Sequence, residues 1–385
     1  MKNILFIHQS AELYGSDKTL LLLLKHIDKS KFNPIVILPF EGPLKVELEN
    51  NRIKVVIAPV LKLYRKMFTP KNIFQFFKDI KKSFNVINDL NEQYNFDLIY
   101  SNTLAVLLGV FYAKKSGIKH LWHVHEIIES PKFFTKIFCK MLSLNSNSKI
   151  VYNSIATKKF WDVTKKISLK SEVVWNGLEV NQNNISKEEK EDVRKLIFKC
   201  NSSEIIIALV GRISRWKGQK ILLNSFNEVL KTHQNIKLAL IGSTPPNQEF
   251  FLYELEKIII ELNISDKVIH IPFTKEIAKI WQCIDIAVVP SIEPEPFGLV
   301  AVEAMLAKKP VIGSNHGGLT EIILNNETGF LVKPKDEIEL ENAISKLIED
   351  PKLRQEFGEN GYNRAVENFS ISNYVSSFEK IFINI

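Results

Sequence analysis

Short, continuous apolar runs recur along the first half of the chain: Ile4–His8, Pro34–Pro39, Ile53–Ala58, Asp97–Tyr100, Leu121–His125, Lys149–Tyr152 and Glu172–Trp175. A strand with one wet face alternates apolar and polar residues. These runs do not, which suits strands buried on both faces of a parallel sheet. Between them apolar residues return at helical spacing, in Ser16–Ile27, Asn72–Tyr94, Leu104–Lys115 and Phe133–Leu144. Strand and helix in regular alternation predict a doubly wound α/β layer.

The second half repeats the pattern. Its strand runs are Ile205–Val210, Lys237–Ile241, Lys267–Ile271, Ile284–Val289, Pro310–Gly313 and Phe330–Val332. Helical spacing falls at Gly218–Lys231, Gln248–Leu262, Lys275–Gln282, Phe297–Leu306 and Gly318–Leu324, then in a tail over Asp336–Glu349, Pro351–Phe369 and Ile371–Phe382. The polar stretch Glu179–Glu191 has linker composition. At 385 residues the chain fits two domains rather than one. The expected division is residues 1–180, residues 181–368, and a closing helix over 369–385 that returns to the first domain.

Charge separates the halves. Residues 1–178 hold 27 Lys/Arg against 14 Asp/Glu, and residues 179–385 hold 24 against 29. The first half therefore attracts anionic partners, although no zinc-finger, RNA-recognition or basic-zipper pattern points to nucleic acid. Three scattered cysteines, Cys139, Cys200 and Cys283, speak against disulfides and a zinc site. No apolar run is long enough to span a bilayer, and Met1–His8 reads as a buried strand rather than a signal peptide. The expected location is the cytoplasm.

Chemistry concentrates in three motifs of the second half. Gly211-Arg-Ile-Ser-Arg-Trp-Lys-Gly218 follows a strand, where open α/β sheets bind ligands. Arg212 and Lys217 could both reach a pyrophosphate there and stabilise charge growing on a leaving phosphate. A solvated basic turn is the plain alternative. In Ser291–Met305 the carboxylates Glu295 and Glu303 have seven residues between them. The first sits in a loop stiffened by Pro294 and Pro296, the second on a helix whose N-terminal N–H groups favour anions. Both acids could equally decorate that helix end. The third motif is Gly313-Ser-Asn-His-Gly-Gly-Leu-Thr-Glu321, with Gly329-Phe-Leu-Val332 behind it.

Together these motifs resemble the retaining GT-B glycosyltransferases of family 4, whose signatures include G-R-x-x-x-x-K-G and E-x7-E. The resemblance implies the GT-B architecture, two Rossmann-like doubly wound domains facing across a cleft. It implies a nucleotide-sugar donor, UDP-linked by expectation, with no metal and no other cofactor. Catalytic roles would then fall to His125, Arg212, Lys217 and Glu295. Donor binding would fall to Gly15, Gly211, the backbone of Phe297, Gly298 and Leu299, and Glu303 at the ribose. His125 is assigned from His125-Glu126, which matches a family dipeptide; a structural histidine pair and a metal held with His123 are the alternatives. In the loop Gln9–Ser16 the family often has Gly-Gly where this chain has Tyr14-Gly15, with Ser16 the expected helix cap.

Two basic, aromatic stretches remain in the first half. Lys62–Phe68 leads into Phe74–Phe84, and Lys132–Leu142 stands apart. Lys, Phe and Ile at helical spacing suit an anionic membrane surface, or simply an amphipathic helix facing the core. The expected reaction moves a sugar to a saccharide or lipid-linked acceptor in bacterial surface polysaccharide or glycolipid synthesis, on the inner face of the cell membrane. A sugar-nucleotide epimerase of the same fold and a non-catalytic binding subunit are the competing readings.

Overall fold

The structure is a computed structural model and describes residues 1–62, 70–180, 185–201 and 203–385. The chain divides into two units, Met1–Leu178 with Ile371–Ile385, and Glu179–Ser370.

The first unit is built on seven strands: β1 (Lys2–His8), β2 (Phe32–Leu38), β3 (Lys54–Ile57), β4 (Leu98–Asn102), β5 (Lys119–Val124), β6 (Asn147–Tyr152) and β7 (Ser171–Val173). All neighbours run parallel, in the order β3-β2-β1-β4-β5-β6-β7. β1 explains the continuous apolar runs. Its Leu5 and Ile7 enter the core on one face of the sheet, and its Ile4 and Phe6 enter the core on the other. Each of the seven expected runs forms one of these strands, with ends moved by up to two residues.

The helix Ile371–Asn384 belongs to this unit and supplies Tyr374, Val375, Phe378 and Phe382 to the core containing Ile4 and Phe6. Phe382 meets Phe6 and Phe32 edge to face, with centroids 6.1 and 5.7 Å apart. Burying each such ring contributes on the order of 2–3 kcal/mol.

The second unit has six parallel strands: β8 (Ile205–Val210), β9 (Ile236–Ile241), β10 (Val268–Ile271), β11 (Ile286–Val289), β12 (Val311–Ser314) and β13 (Gly329–Val332). Their order is β10-β9-β8-β11-β12-β13. Strand order reverses between β1 and β4 in the first unit and between β8 and β11 in the second. The crevice outside the carboxyl ends of strands at such a reversal is where open α/β sheets bind ligands.

Several expected boundaries move. The helix expected from Phe297 spans Leu299–Leu306, because Gly298 at φ +118° stands outside helical geometry. The helix expected from Ser16 begins at Gly15, and Tyr14 rather than Ser16 is its cap; the Tyr14 N–H donates to Asp17 Oδ2 at 2.9 Å. Part of the expected linker is helical: Lys187–Leu196 is capped by Ser186 Oγ, which accepts from Glu189 N at 3.0 Å. That Ser-x-x-Glu pattern was the available signal. Arg194 anchors this helix through Cys283 O at 2.8 Å. The helices Pro43–Asn50, Ile155–Trp161 and Lys165–Ser168 were not expected. The last two are too short to develop a helical period.

Candidate functional site

In the second unit, the loops after β8, β11 and β12 close on one another largely through backbone. Gly218 has φ +78°, and a Cβ there would lie 1.9 Å from Pro290 O. Gly317 has φ +60°, and a Cβ there would lie 2.3 Å from Glu295 O. No other residue type fits at either position. Hydrogen bonds lock the contacts: Ile292 N to Trp216 O at 2.8 Å, Gly318 N to Glu295 O at 2.7 Å, and His316 Nε2 to Ser291 O at 2.9 Å.

Within this frame Lys217 Nζ lies 2.6 Å from Glu295 Oε1, and Ser291 Oγ donates to the same oxygen at 2.5 Å. The pair is largely shielded, with side-chain exposures of 16% and 6%. The Lys217 ammonium also stands 4.3 Å from the Trp216 ring centroid. An ammonium has three N–H donors, so one bond to Glu295 leaves donors for a phosphate oxygen. Arg215 and Glu293, the nearby charges that could be confused with this pair, form an exposed surface bridge of their own at 2.6 Å.

The remaining expected donor-site residues surround the pair in sequence. Gly211 follows β8 at φ +149°. Arg212 is exposed, and its carbonyl accepts from the buried Gln219 at 3.0 Å. Phe297 is buried edge to face against Phe369, 5.7 Å between centroids, so only its backbone can meet a ligand. Glu303 is half-buried on the first turns of Leu299–Leu306.

The first unit places a different arrangement at its own strand reversal. His8 and Asn102 end β1 and β4, and His123, one residue before the end of β5, lies in register with them. His8 Nε2 meets Asp17 Oδ1 at 2.5 Å, and His8 Nδ1 meets Asn102 Nδ2 at 3.0 Å. Asn102 Nδ2 also donates to Ser16 O at 3.2 Å, and Asn102 Oδ1 meets His125 Nε2 at 2.9 Å. His125 Nε2 lies 3.0 Å from His123 Nδ1, which meets the Tyr100 hydroxyl at 2.5 Å. The ring centroids of His123 and His125 lie 3.9 Å apart. Phe378 of the last helix covers His123 at 5.0 Å.

Burial keeps His123 and His125 uncharged. It lowers His125 to about 3, with His8 a lesser cause, and holds His123 well below the usual range. Glu126 moves the other way, up to about 7, because burial outweighs the N–H groups of Leu104 and His125 that its carboxylate accepts at 2.9 and 3.0 Å. Asp17, His8, Asn102 and Tyr100 escaped the sequence reading. The only signal was a polar residue closing a buried apolar strand. Gly15, the first residue of its helix, lies beside this group through Ser16.

Among the described residues, no group of three His, Cys, Asp or Glu is placed to hold a metal ion. None of the described helices is long and apolar enough to cross a membrane. Of the basic, aromatic stretches, residues 63–68 lie outside the described residues. In the others, Phe76, Ile80, Phe84, Phe134 and Phe138 pack on the core, while Phe74 and Phe133 are exposed.

Two parallel doubly wound units of this kind define the GT-B glycosyltransferase fold. The chain superposes on the crystal structure of Anabaena Alr3699/HepE in complex with UDP and glucose with a TM-score of 0.85, 24% identity, and 99% of each chain covered. Residues 191–364, most of the second unit, match the family described as Glycosyl transferases group 1. An uncharacterized glycosyltransferase of Methanocaldococcus jannaschii, MJ1607, is 32% identical over 53% of this chain and 51% of its own. The capsular polysaccharide biosynthesis glycosyltransferase CapM of Staphylococcus aureus is 28% identical over 51% of this chain and 49% of its own. The chain thus spans about half the length of these curated relatives.

Proposed function

We propose that the chain is a retaining, metal-independent glycosyltransferase. It moves a sugar from a UDP-linked donor to a saccharide or lipid-linked acceptor in the synthesis of a bacterial surface polysaccharide or glycolipid. The observation that carries this reading is the shielded Lys217–Glu295 pair, framed by glycines that no other residue could replace, at the strand reversal of the second unit. A fixed carboxylate accepts from sugar hydroxyls. A fixed ammonium, with Arg212 in the same loop, meets a phosphate whose charge grows as the glycosyl bond breaks. Glu303 accepts from the ribose. Backbone N–H groups at the start of Leu299–Leu306 favour the anion.

The HepE structure of the same fold holds UDP and glucose, and CapM is named for capsular polysaccharide synthesis; both support the choice of donor and pathway class. The basic first unit suits an acceptor carried on an anionic membrane, with the protein peripheral on its inner face. The test is nucleotide release from UDP-sugars in the presence of a chelator, with and without lipid-linked saccharides, and the anomeric configuration of the product read by NMR. Transfer with retention supports the reading. Inversion, or a chelator-sensitive reaction, overturns that part of it. Interconversion of the free donor would mark an epimerase.

A further inference from the structure

Hydrogen-bond direction can be followed through the polar group of the first unit from its two fixed ends. Ser16 O accepts only, so the Asn102 nitrogen that meets it at 3.2 Å is the NH2 and the amide orientation is settled. The same NH2 donates to His8 Nδ1, which is therefore bare, and His8 Nε2–H donates to the Asp17 carboxylate. Asp17 is held in turn by the Tyr14 N–H. The other end of the Asn102 amide is an acceptor, so the His125 nitrogen at 2.9 Å carries a proton. That proton is shared with His123 Nδ1 at 3.0 Å, which also accepts from Tyr100. His123 then bears its proton on Nε2, a buried position without a partner among the described residues.

We propose that Asn102, backed by the His8–Asp17 pair, is a positioning residue that locks His125 as the neutral Nε2–H tautomer and leaves it only the Nδ1 lone pair to offer a ligand. The inference rests on the glycosyltransferase reading and narrows it. A ring that can only accept recognises a hydroxyl proton of a sugar. It cannot donate to the oxygens of a departing phosphate, a task that falls to Lys217 and Arg212. No carboxylate touches His125 through a side-chain hydrogen bond among the described residues. Glu126 Oε2 accepts its backbone N–H instead, so the ring lacks the partner that would make it a cation.

The test needs no substrate. Full-length protein labelled with nitrogen-15 in histidine gives long-range proton–nitrogen correlations at neutral pH, with the His125 signals assigned by their loss in His125→Gln. The lock requires a protonated Nε2 and a bare Nδ1 in the wild type. Asn102→Asp keeps an acceptor for Nε2–H, so that nitrogen should stay protonated, while the new carboxylate draws a second proton onto Nδ1 and raises the His125 pKa. Asn102→Ala removes the acceptor and should give mixed tautomers in a protein whose circular dichroism is unchanged. A wild-type His125 protonated on Nδ1, or on both nitrogens, overturns the proposal even if neither variant folds. So does Asn102→Ala with the wild-type tautomer intact. A locked tautomer in a protein that binds no nucleotide sugar would count against the proposed function and leave the lock standing.

Discussion

The two units meet the same task, holding polar groups at the carboxyl edge of a parallel sheet, by opposite means. The second pairs charges, an ammonium on a carboxylate inside loops whose backbones touch. The first joins its polar side chains in a line of hydrogen bonds, within which burial keeps His123 and His125 neutral. A shielded charge without its partner retains most of its desolvation cost, whereas a neutral group without its partner loses only one bond. The pair is therefore the less forgiving device, and the line the more sensitive to pH.

The largest expected effect follows from that contrast. Lys217→Ala strands the Glu295 carboxylate with Ser291 alone and should cost about 3 kcal/mol of stability. Asn102→Ala, which breaks neutral bonds only, should cost about 1–2 kcal/mol. Denaturant melts of both variants measure the two values, and equal losses would break the comparison.

The second effect is pH. His120 and His125 fall to about 4 and about 3, and His123 falls with them, all through burial. Below their ordinary value of 6.5 the unfolded chain takes up protons that the folded one refuses. Stability of the first unit therefore drops as pH falls from 6.5 towards 3. Glu126 opposes this, since its folded value near 7 lies above the ordinary 4.5 and the folded state binds the extra proton between them. In Glu126→Gln the loss between pH 6.5 and 4.5 should thus be steeper than in the wild type. Hydrogen exchange at pH 5 and 7 locates the change, which should concentrate in the first unit.

The smallest effect concerns the surface. Lys132, Lys136 and Lys140 are exposed beside Phe133 on the helix Lys132–Leu142. Exposed Lys165 and Lys166 lie near exposed Val163 and Leu169. If this face meets anionic lipid, each Lys→Gln change should weaken sedimentation with anionic vesicles by about 1 kcal/mol and leave neutral vesicles unaffected. Equal binding to both vesicle types would remove the membrane from the account.

Legibility in the sequence follows the same division. The pair in the second unit rests on glycines forced by backbone contact and on residues spaced within single loops, so Gly211–Gly218 and Glu295–Glu303 stand out as local strings. The inner strands were readable because both of their faces are covered and their apolar runs are nearly continuous, as in β1, β8 and β11. The line in the first unit joins residues 8, 17, 100, 102, 123 and 125, contributed by three strands, a helix and the loop after β5. Nothing in the spacing of His8 and Asn102 announces that parallel register sets them side by side. The short helices Ile155–Trp161 and Lys165–Ser168 were hidden for a different reason. Their Ser154 and Thr164 caps, rather than any periodicity, mark where they begin.

The central claim is that the second unit holds a nucleotide sugar through Lys217, Glu295 and Glu303. Thermal unfolding with UDP-, GDP-, ADP- and dTDP-sugars, on wild type and Glu303→Ala, tests it most directly. At about 100 times its dissociation constant a ligand adds roughly 2.7 kcal/mol of stability. The account predicts that the UDP-sugars stabilise the wild type and that Glu303→Ala loses the response while unfolding normally without ligand. No stabilisation by any of the four classes, or an undiminished response in Glu303→Ala, would contradict it.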